Sequence, residues 1–261
     1  MTNLLQGKTA LIFGVANERS IAWGIAKAFS EHGAQVGLSY AGEALERRVR
    51  PLAESIACNF VEPCDLSDDS QIRLVAEKAG HAFGSIDILV HAVAFANRDE
   101  LTGPYYNTSR EGFRLAMDIS VYSFTALAQA FQLLLREGGS LLTLTYYGSE
   151  KVMPHYNVMG VAKAALEASV RYLAYDLGSQ GVRVNAISAG PIRTLAAAGV
   201  SGFKAMYRQF TEVAPLRQAI TIEDIGGTAV YLASDLSAKV TGEVIYVDSG
   251  YNILGLTEPV S

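Results

Sequence analysis

The sequence predicts an α/β protein: one domain over residues 1–261, built on a doubly wound parallel sheet of about seven strands with helices on both faces. Three observations carry that prediction. Short apolar runs of strand length alternate along the chain with longer stretches of helical period. The apolar runs lack the in/out alternation of a half-wet strand, as expected of parallel strands covered on both faces and joined by right-handed crossovers. No internal repeat, low-complexity tract or Pro/Ser linker divides the chain.

The first strand is the apolar run of KTALIFGV, which stops at Gly14. SIAWGIAKAFSEHGA follows as a helix, with Ser20 as N-cap, apolar positions at Ile21, Ile25, Ala28 and Phe29, and Gly33 as the stop. QVGLSY is the second strand, EALERRVRPLAESI a charged amphipathic helix, and NFVEPCDL a third strand ending at an acidic residue. DSQIRLVAEKAGHAFG reads as helix, IDILVHAVAF as a strongly apolar strand, and REGFRLAMDISVYSFTALAQAFQLLL as one long helix. GSLLTLTYYG is a strand leading into a helix that carries Lys163. VRVNAISAG is the sixth strand, IEDIGGTAVYLASD a helix and EVIYVDSG the last strand. Between them, the Ala- and Gly-rich TLAAAGVSGFKAMYRQF reads as a mobile lid near residues 194–210.

Half of the 261 residues are hydrophobic and 18% are charged, which suits a large core and leaves apolar surface for an oligomer. A net charge of −5 without a dense Lys/Arg run argues against a broad grip on nucleic acid. The start MTNLLQGKTALIFGV lacks a basic segment and a small-residue cleavage site, and no apolar stretch is long enough for a bilayer; a cytoplasmic protein is expected, with no membrane contact. Cys58 and Cys64 have no nearby histidines and read as reduced packing residues, so no metal site is expected.

In a doubly wound sheet the ligand lies beyond the carboxyl ends of the strands, where helix N-termini aim N–H groups at anions. Gly14 and Ser20 stand at that edge. Gly14 allows close backbone approach to a pyrophosphate, while the Ser20 hydroxyl and the Ile21 amide can donate to its oxygens. The G-x-G-x-x-G spacing is absent, so the loop by itself also reads as a turn and a cap. Asp65, with Leu66 beside it, either accepts from an adenine amino group or caps the next helix; Val93 and Ala94 pass along the ribose. The second strand ends without the acidic residue that often holds the ribose hydroxyls, and Arg47 and Arg48 further on read first as a solvated face. NADH is the expected cofactor, with NADPH open.

Tyr156 and Lys163, seven residues apart, fall within about 20° of one helix face. A phenol normally keeps its proton at neutral pH, and a nearby ammonium eases its release. Lys163 can also donate to the nicotinamide ribose. When hydride adds to the β-carbon of a conjugated thioester, charge builds on the carbonyl oxygen, and Tyr156 is the candidate donor that steadies it. Of the adjacent Tyr146 and Tyr147, one faces the cleft and the other packs.

With these motifs in place, the chain resembles the short-chain dehydrogenase/reductase superfamily, a Rossmann-type fold, and within it the bacterial enoyl-acyl-carrier-protein reductases of type II fatty acid synthesis. The resemblance covers almost the entire length and rests on GVANERSIAWGIA (Gly-x5-Ser-x-Ala), CDL, HAVAFA, DISVYSF, YNVMGVAKAALEA (Tyr-x6-Lys) and RVNAISAGPIRTLAA. Ordinary members of the superfamily use Tyr-x3-Lys; the wider spacing, with Tyr146 ten residues before Tyr156, is the specific mark.

The resemblance implies reduction of the trans-2 double bond of enoyl thioesters by NADH, the final step of the fatty acid elongation cycle. It implies a homotetramer, with the helix near 115–135 and the Lys163 helix as contact faces, and acyl carrier protein as the substrate's bearer. It makes Tyr156 and Lys163 catalytic, places Tyr146 at the acyl site, and has residues 192–196 close on the cofactor: Ile192 faces the carboxamide, Arg193, Leu195 and Ala196 flank it, and Thr194 reaches the pyrophosphate or amide region. Ala96, Phe203 and Met206, with Tyr207, are the expected acyl wall, and Lys204 and Arg208 candidate contacts for an acidic carrier protein.

Two positions depart from the family pattern. Ala92 stands where relatives carry a hydroxyl, and Ala41 where many NADH-using relatives turn a glutamine towards adenine. Two other functions fit parts of the sequence: a carbonyl (β-ketoacyl) reductase, disfavoured by the missing Tyr-x3-Lys, and a non-catalytic NAD(P)-binding regulator, disfavoured by the intact Tyr156 and Lys163.

Overall fold

A computed structural model describes residues 3–194 and 202–256. Seven strands form a single sheet, every neighbouring pair parallel: β1 (Thr9–Phe13), β2 (Gln35–Tyr40), β3 (Phe60–Pro63), β4 (Ile86–His91), β5 (Leu135–Thr145), β6 (Arg183–Ala189) and β7 (Val244–Val247). Their order is β3-β2-β1-β4-β5-β6-β7. The chain runs outward from β1 to β3, returns to lay β4 on the other side of β1, and runs outward again. The point of reversal, between β1 and β4, is where such sheets open a crevice at their carboxyl edge.

Strand β1 shows why the runs are apolar throughout. Ala10 and Ile12 enter one core with Trp23, Ile25 and Phe29 of α1 (Ile21–Glu31) and Ile225 and Leu232 of α8 (Ile222–Ala233). Leu11 and Phe13 enter the other core, with Ile72 and Val75 of α3 (Asp69–Phe83), Phe124, Leu127 and Phe131 of α5 (Ser123–Phe131), and Leu166 and Val170 of α6 (Asn157–Gly178). Successive residues of one strand point to opposite faces, so a strand with helices on both faces is apolar at every position. The other α-helices among the described residues are α2 (Glu43–Ser55), α4 (Arg110–Met117) and α7 (Phe203–Val213).

Two elements differ from expectation. The predicted long helix is α4 and α5 joined through a π-turn at Asp118–Tyr122, and it ends at Phe131 rather than running on through QLLL. The π-turn carries the buried Ser120, whose hydroxyl accepts from Phe95 N (2.9 Å) and donates to Phe95 O (3.1 Å). Leu135 already belongs to β5, since a short apolar run has no period to separate helix from strand. The fourth strand ends at His91, and the following AVAF leaves the sheet as the wall of the crevice. Among the described residues no helix is long and apolar enough to cross a membrane.

Candidate active site

At the carboxyl edge of the sheet lies a cavity of about 650 Å³, running from Ala41 and Leu45 past β1, β4 and β5 to Phe203 and Met206 of α7. Gly14 ends β1 at its floor. Its φ is +102°, and a Cβ there would stand 2.8 Å from the Ala92 carbonyl carbon and 2.9 Å from Val93 Cγ2, so only glycine lets the β1 and β4 ends lie this close. The amides of Gly14 and Val15 donate to Ser39 O of β2, and the chain then turns at Asn17 into α1.

Ser20 occupies the N-cap position of α1 but does not cap it with its side chain. Its hydroxyl lines the cavity and donates to Asn17 O at 2.7 Å, a bond that folds the loop. The Ile21 and Ala22 amides line the cavity side of the helix start and have no partner among the described residues. A helix of 11 residues thus presents free N–H groups and the positive end of its dipole to the cavity. This arrangement, with the cavity's size, fits the pyrophosphate of a dinucleotide.

On the opposite wall stand the tyrosines and the lysine. Tyr156 is the residue before α6, held between His155 (φ +63°) and Asn157 (φ +40°). Asn157 tolerates that backbone and its Nδ2 donates to Gly103 O (3.2 Å) and Glu100 O (3.4 Å), tying the head of α6 to the loop that brings Arg98 and Leu101 to the cavity. The Tyr146 and Tyr156 rings meet edge to face, with centroids 4.9 Å apart. Tyr146 lines the cavity and its hydroxyl points to Met206 Sδ at 3.8 Å; Tyr147 packs instead, its hydroxyl donating to Asn252 O at 3.0 Å. The Tyr156 hydroxyl has no hydrogen-bond partner among the described residues.

Lys163, two turns into α6, is buried and donates from Nζ to Leu144 O at 2.8 Å. Burial lowers its pKa to about 8, opposed by the charge of Glu167. The Tyr156 phenol is pushed well above its ordinary value, first by burial and then by Tyr146 and Glu167. The expected easing of the Tyr156 proton by the ammonium is therefore overruled: desolvation dominates and keeps the phenol protonated. Behind Lys163, the fully buried His91 bridges Thr143 Oγ1 and Ser123 Oγ at 2.8 Å each, and burial with the Lys163 charge holds its pKa down to about 3.

Of the residues singled out from sequence, Gly14, Ser20, Ile21, Ala41, Val93, Ala96, Tyr146, Tyr156, Lys163, Ile192, Thr194, Phe203 and Met206 all line this one cavity. Asp65 and Leu66 do not. Asp65 is exposed and its carboxylate accepts from Ser67 N and Oγ, Leu66 is in the core, and Asp68 rather than Asp65 caps α3. Arg193 turns away and stacks on Tyr207, 4.4 Å from the ring centre. Leu195 and Ala196 lie outside the described residues, as does the stretch 195–201 of the expected lid. Sequence reasoning missed Asn157 and Glu167; the signal for Glu167 was its place one helical turn beyond Lys163.

Comparison with known proteins agrees with this geometry. The chain matches the Enoyl-(Acyl carrier protein) reductase family over residues 14–252. It is 56% identical over 255 residues to enoyl-[acyl-carrier-protein] reductase [NADH] 1 of Rhizobium meliloti (strain 1021), covering 98% of this chain and 94% of that one. The crystal structure of the Bacillus cereus enoyl-acyl carrier protein reductase with NADP+ and indole naphthyridinone superposes with a TM-score of 0.95 at 55% identity, covering 98% of this chain and all of that one. The Anaplasma phagocytophilum enoyl-(acyl-carrier-protein) reductase in complex with NAD superposes with a TM-score of 0.96 at 50% identity, covering 99% of each. With the seven-stranded sheet, the Tyr-x6-Lys pair on one cavity wall and this likeness over nearly the full length, the chain belongs to the enoyl-(acyl carrier protein) reductase family of the short-chain dehydrogenase/reductase superfamily.

Proposed function

We propose that this protein is an NADH-dependent enoyl-acyl-carrier-protein reductase that saturates the trans-2 double bond of enoyl thioesters. The observation that carries the reading is the Tyr156 hydroxyl, protonated and without a protein partner, facing the same cavity as the Lys163 ammonium and the free amides of α1. Bound NADH supplies the hydride that adds to the β-carbon of the conjugated thioester. Ile21 and Ala22 would hold the pyrophosphate through their amides, with Gly14 and Val93 at the floor beneath it and Ala41 and Leu45 at the adenosine end. Ile192 and Thr194 would enclose the nicotinamide end, with Lys163 free to donate to its ribose from the N–H bonds that Leu144 does not use.

Tyr156 donates to the thioester carbonyl oxygen as charge builds there, a term worth about 10²–10³ in rate for one preorganised donor. Its high pKa keeps the hydroxyl a donor across the working pH range. Tyr146 holds the Tyr156 ring in place and, with Ala96, Phe203 and Met206, encloses the acyl chain. The carrier protein remains outside, where Lys204 and the exposed Arg208 of α7 can meet its acidic surface. The assembly is a cytoplasmic homotetramer; outward-facing Tyr172 and Tyr175 on α6 and Leu133 beyond α5, 76%, 86% and 92% exposed, support burial of these faces between subunits.

The test is nicotinamide absorbance against time with a short trans-2-enoyl thioester, NADH and NADPH in parallel, and a β-ketoacyl thioester beside it. Consumption with the enoyl substrate that falls at least about 10²-fold in Tyr156→Phe and Lys163→Ala is expected. Turnover of the keto substrate alone would make the protein a carbonyl reductase, and cofactor binding without turnover a regulator.

A further inference from the structure

Glu167 is a carboxylate that the proposed mechanism leaves without work, yet it is 7% exposed, inside the wall that carries Lys163. It stands one turn beyond Lys163 on α6. The two side chains grip consecutive residues of β5: Lys163 Nζ donates to Leu144 O at 2.8 Å, and Thr145 Oγ1 donates to Glu167 Oε1 at 2.6 Å. The next residue is Tyr146, whose ring meets Tyr156. A buried acid is expensive unless its charge is used. A neutral amide oxygen would serve equally well as the acceptor for Thr145, so the hydrogen bond alone does not account for a carboxylate here.

We propose that Glu167 is a positioning residue for the reaction: it is the buried counter-charge that keeps Lys163 an ammonium in a dry wall while clamping the end of β5 below Tyr146. This rests on the reading of Lys163 as the site's cation. The other titratable groups around the pair are accounted for. Just before α6 Tyr156 is a neutral phenol, as is Tyr146 just after β5. From β4, His91 is neutral and its pKa is lowered by Lys163 rather than supporting it. From β7, the Tyr246 hydroxyl donates to Glu150, so that carboxylate is already engaged. Among the described residues Glu167 is thus the only charge that favours the Lys163 ammonium, and its loss lowers the pKa of Tyr156 as well, so both groups would shift in the same direction.

The experiment is the pH profile of kcat/KM for an enoyl thioester at saturating NADH, for the wild type, Glu167→Gln, Glu167→Asp and Lys163→Ala, with thermal melts of each. In Glu167→Gln the alkaline limb is expected to move towards neutral pH by about one unit or more, the effect of removing a unit charge one helical turn away. At pH 8.5 that is about a tenfold loss beyond any change at pH 6.5, while Glu167→Asp keeps the wild-type limb. Should Glu167→Gln fail to fold, the smaller neutral Glu167→Ser must give the same displacement. An unmoved limb with activity reduced evenly at all pH values would leave Glu167 a structural residue and overturn the inference. Full activity in Lys163→Ala would instead overturn the underlying reading of the site.

Discussion

Gly148→Ala separates the chemistry of this site from its cofactor binding. Gly148 sits in the 3₁₀ turn Tyr147–Ser149 after β5, and its backbone is not left-handed, so alanine adds no strain of its own. The added methyl would lie 2.6 Å from Tyr156 Cδ1, 3.0 Å from Cε1 and 3.3 Å from Tyr146 Cδ1. Carbon atoms pack at about 3.5–4.0 Å, so the Tyr156 ring must retreat by about 1 Å. It has no free path, because Tyr146 meets it at a centroid distance of 4.9 Å. A displacement of about 1 Å at a reacting group lowers kcat about 10²-fold, and overpacking of this size costs about 1–3 kcal/mol of stability. The pyrophosphate end at α1 is untouched, so NADH affinity, read by its fluorescence, is expected to stay within about threefold, under 1 kcal/mol. Steady-state reduction of a saturating enoyl thioester, the NADH titration and a melt together make the test. A folded variant with wild-type kcat would refute the placement of the Tyr156 hydroxyl as the working donor.

Gly14→Ala combines a φ of +102° with a methyl 2.8 Å from the Ala92 carbonyl carbon; a loss of about 2–5 kcal/mol in denaturant unfolding, with NADH binding weakened in parallel, is expected. Asn157→Gly keeps the left-handed backbone without the tether to Glu100 and Gly103, whereas Asn157→Ala loses both. KM for the enoyl substrate should rise in both, with the melt lower for alanine by about 1 kcal/mol; equal melts would remove backbone strain from the account. His91 titrates near 3 when folded and near 6.5 when unfolded, so the unfolded chain binds the extra proton between those values. Stability is therefore present above pH 6.5 and lost as pH falls towards 3, by up to about 1.4 kcal/mol per unit. His91→Asn should flatten that slope by close to one proton in pH-dependent urea unfolding, and an unchanged slope would assign the acid loss to carboxylates alone.

The frame of this fold was legible because each strand is buried on both faces and each helix on one, so period and length alone separated them. Where that contrast disappears, so did the boundaries: the apolar QLLL has no period, and the π-turn at Asp118–Tyr122 follows from Ser120 bonding to Phe95, 25 residues earlier in the chain. The cavity wall was legible where chemistry and spacing coincide, as in Tyr156 and Lys163. Asp65 lies outside the cavity lining: an acid at a strand end can bond its own turn as readily as a ligand, and here Ser67 donates twice to its Oδ1. Asn157 was invisible because its role depends on a backbone angle and on carbonyls more than 50 residues away.

Burial has opposite consequences for the two groups that the proposed reaction would use. Desolvation disfavours charge, so it raises the Tyr156 phenol and lowers the Lys163 amine within one wall. The phenol is thereby kept a neutral donor, the form that the proposed transition state would use. The amine is carried towards the edge of neutrality, where its charge begins to fail. The same dry wall that would strengthen a hydrogen bond from Tyr156 to a substrate thus makes lysine the pH-limited member of the pair. A site of this kind gains from a second buried charge beside the amine and none beside the phenol hydroxyl. Glu167 lies one turn beyond Lys163, on the side away from Tyr156.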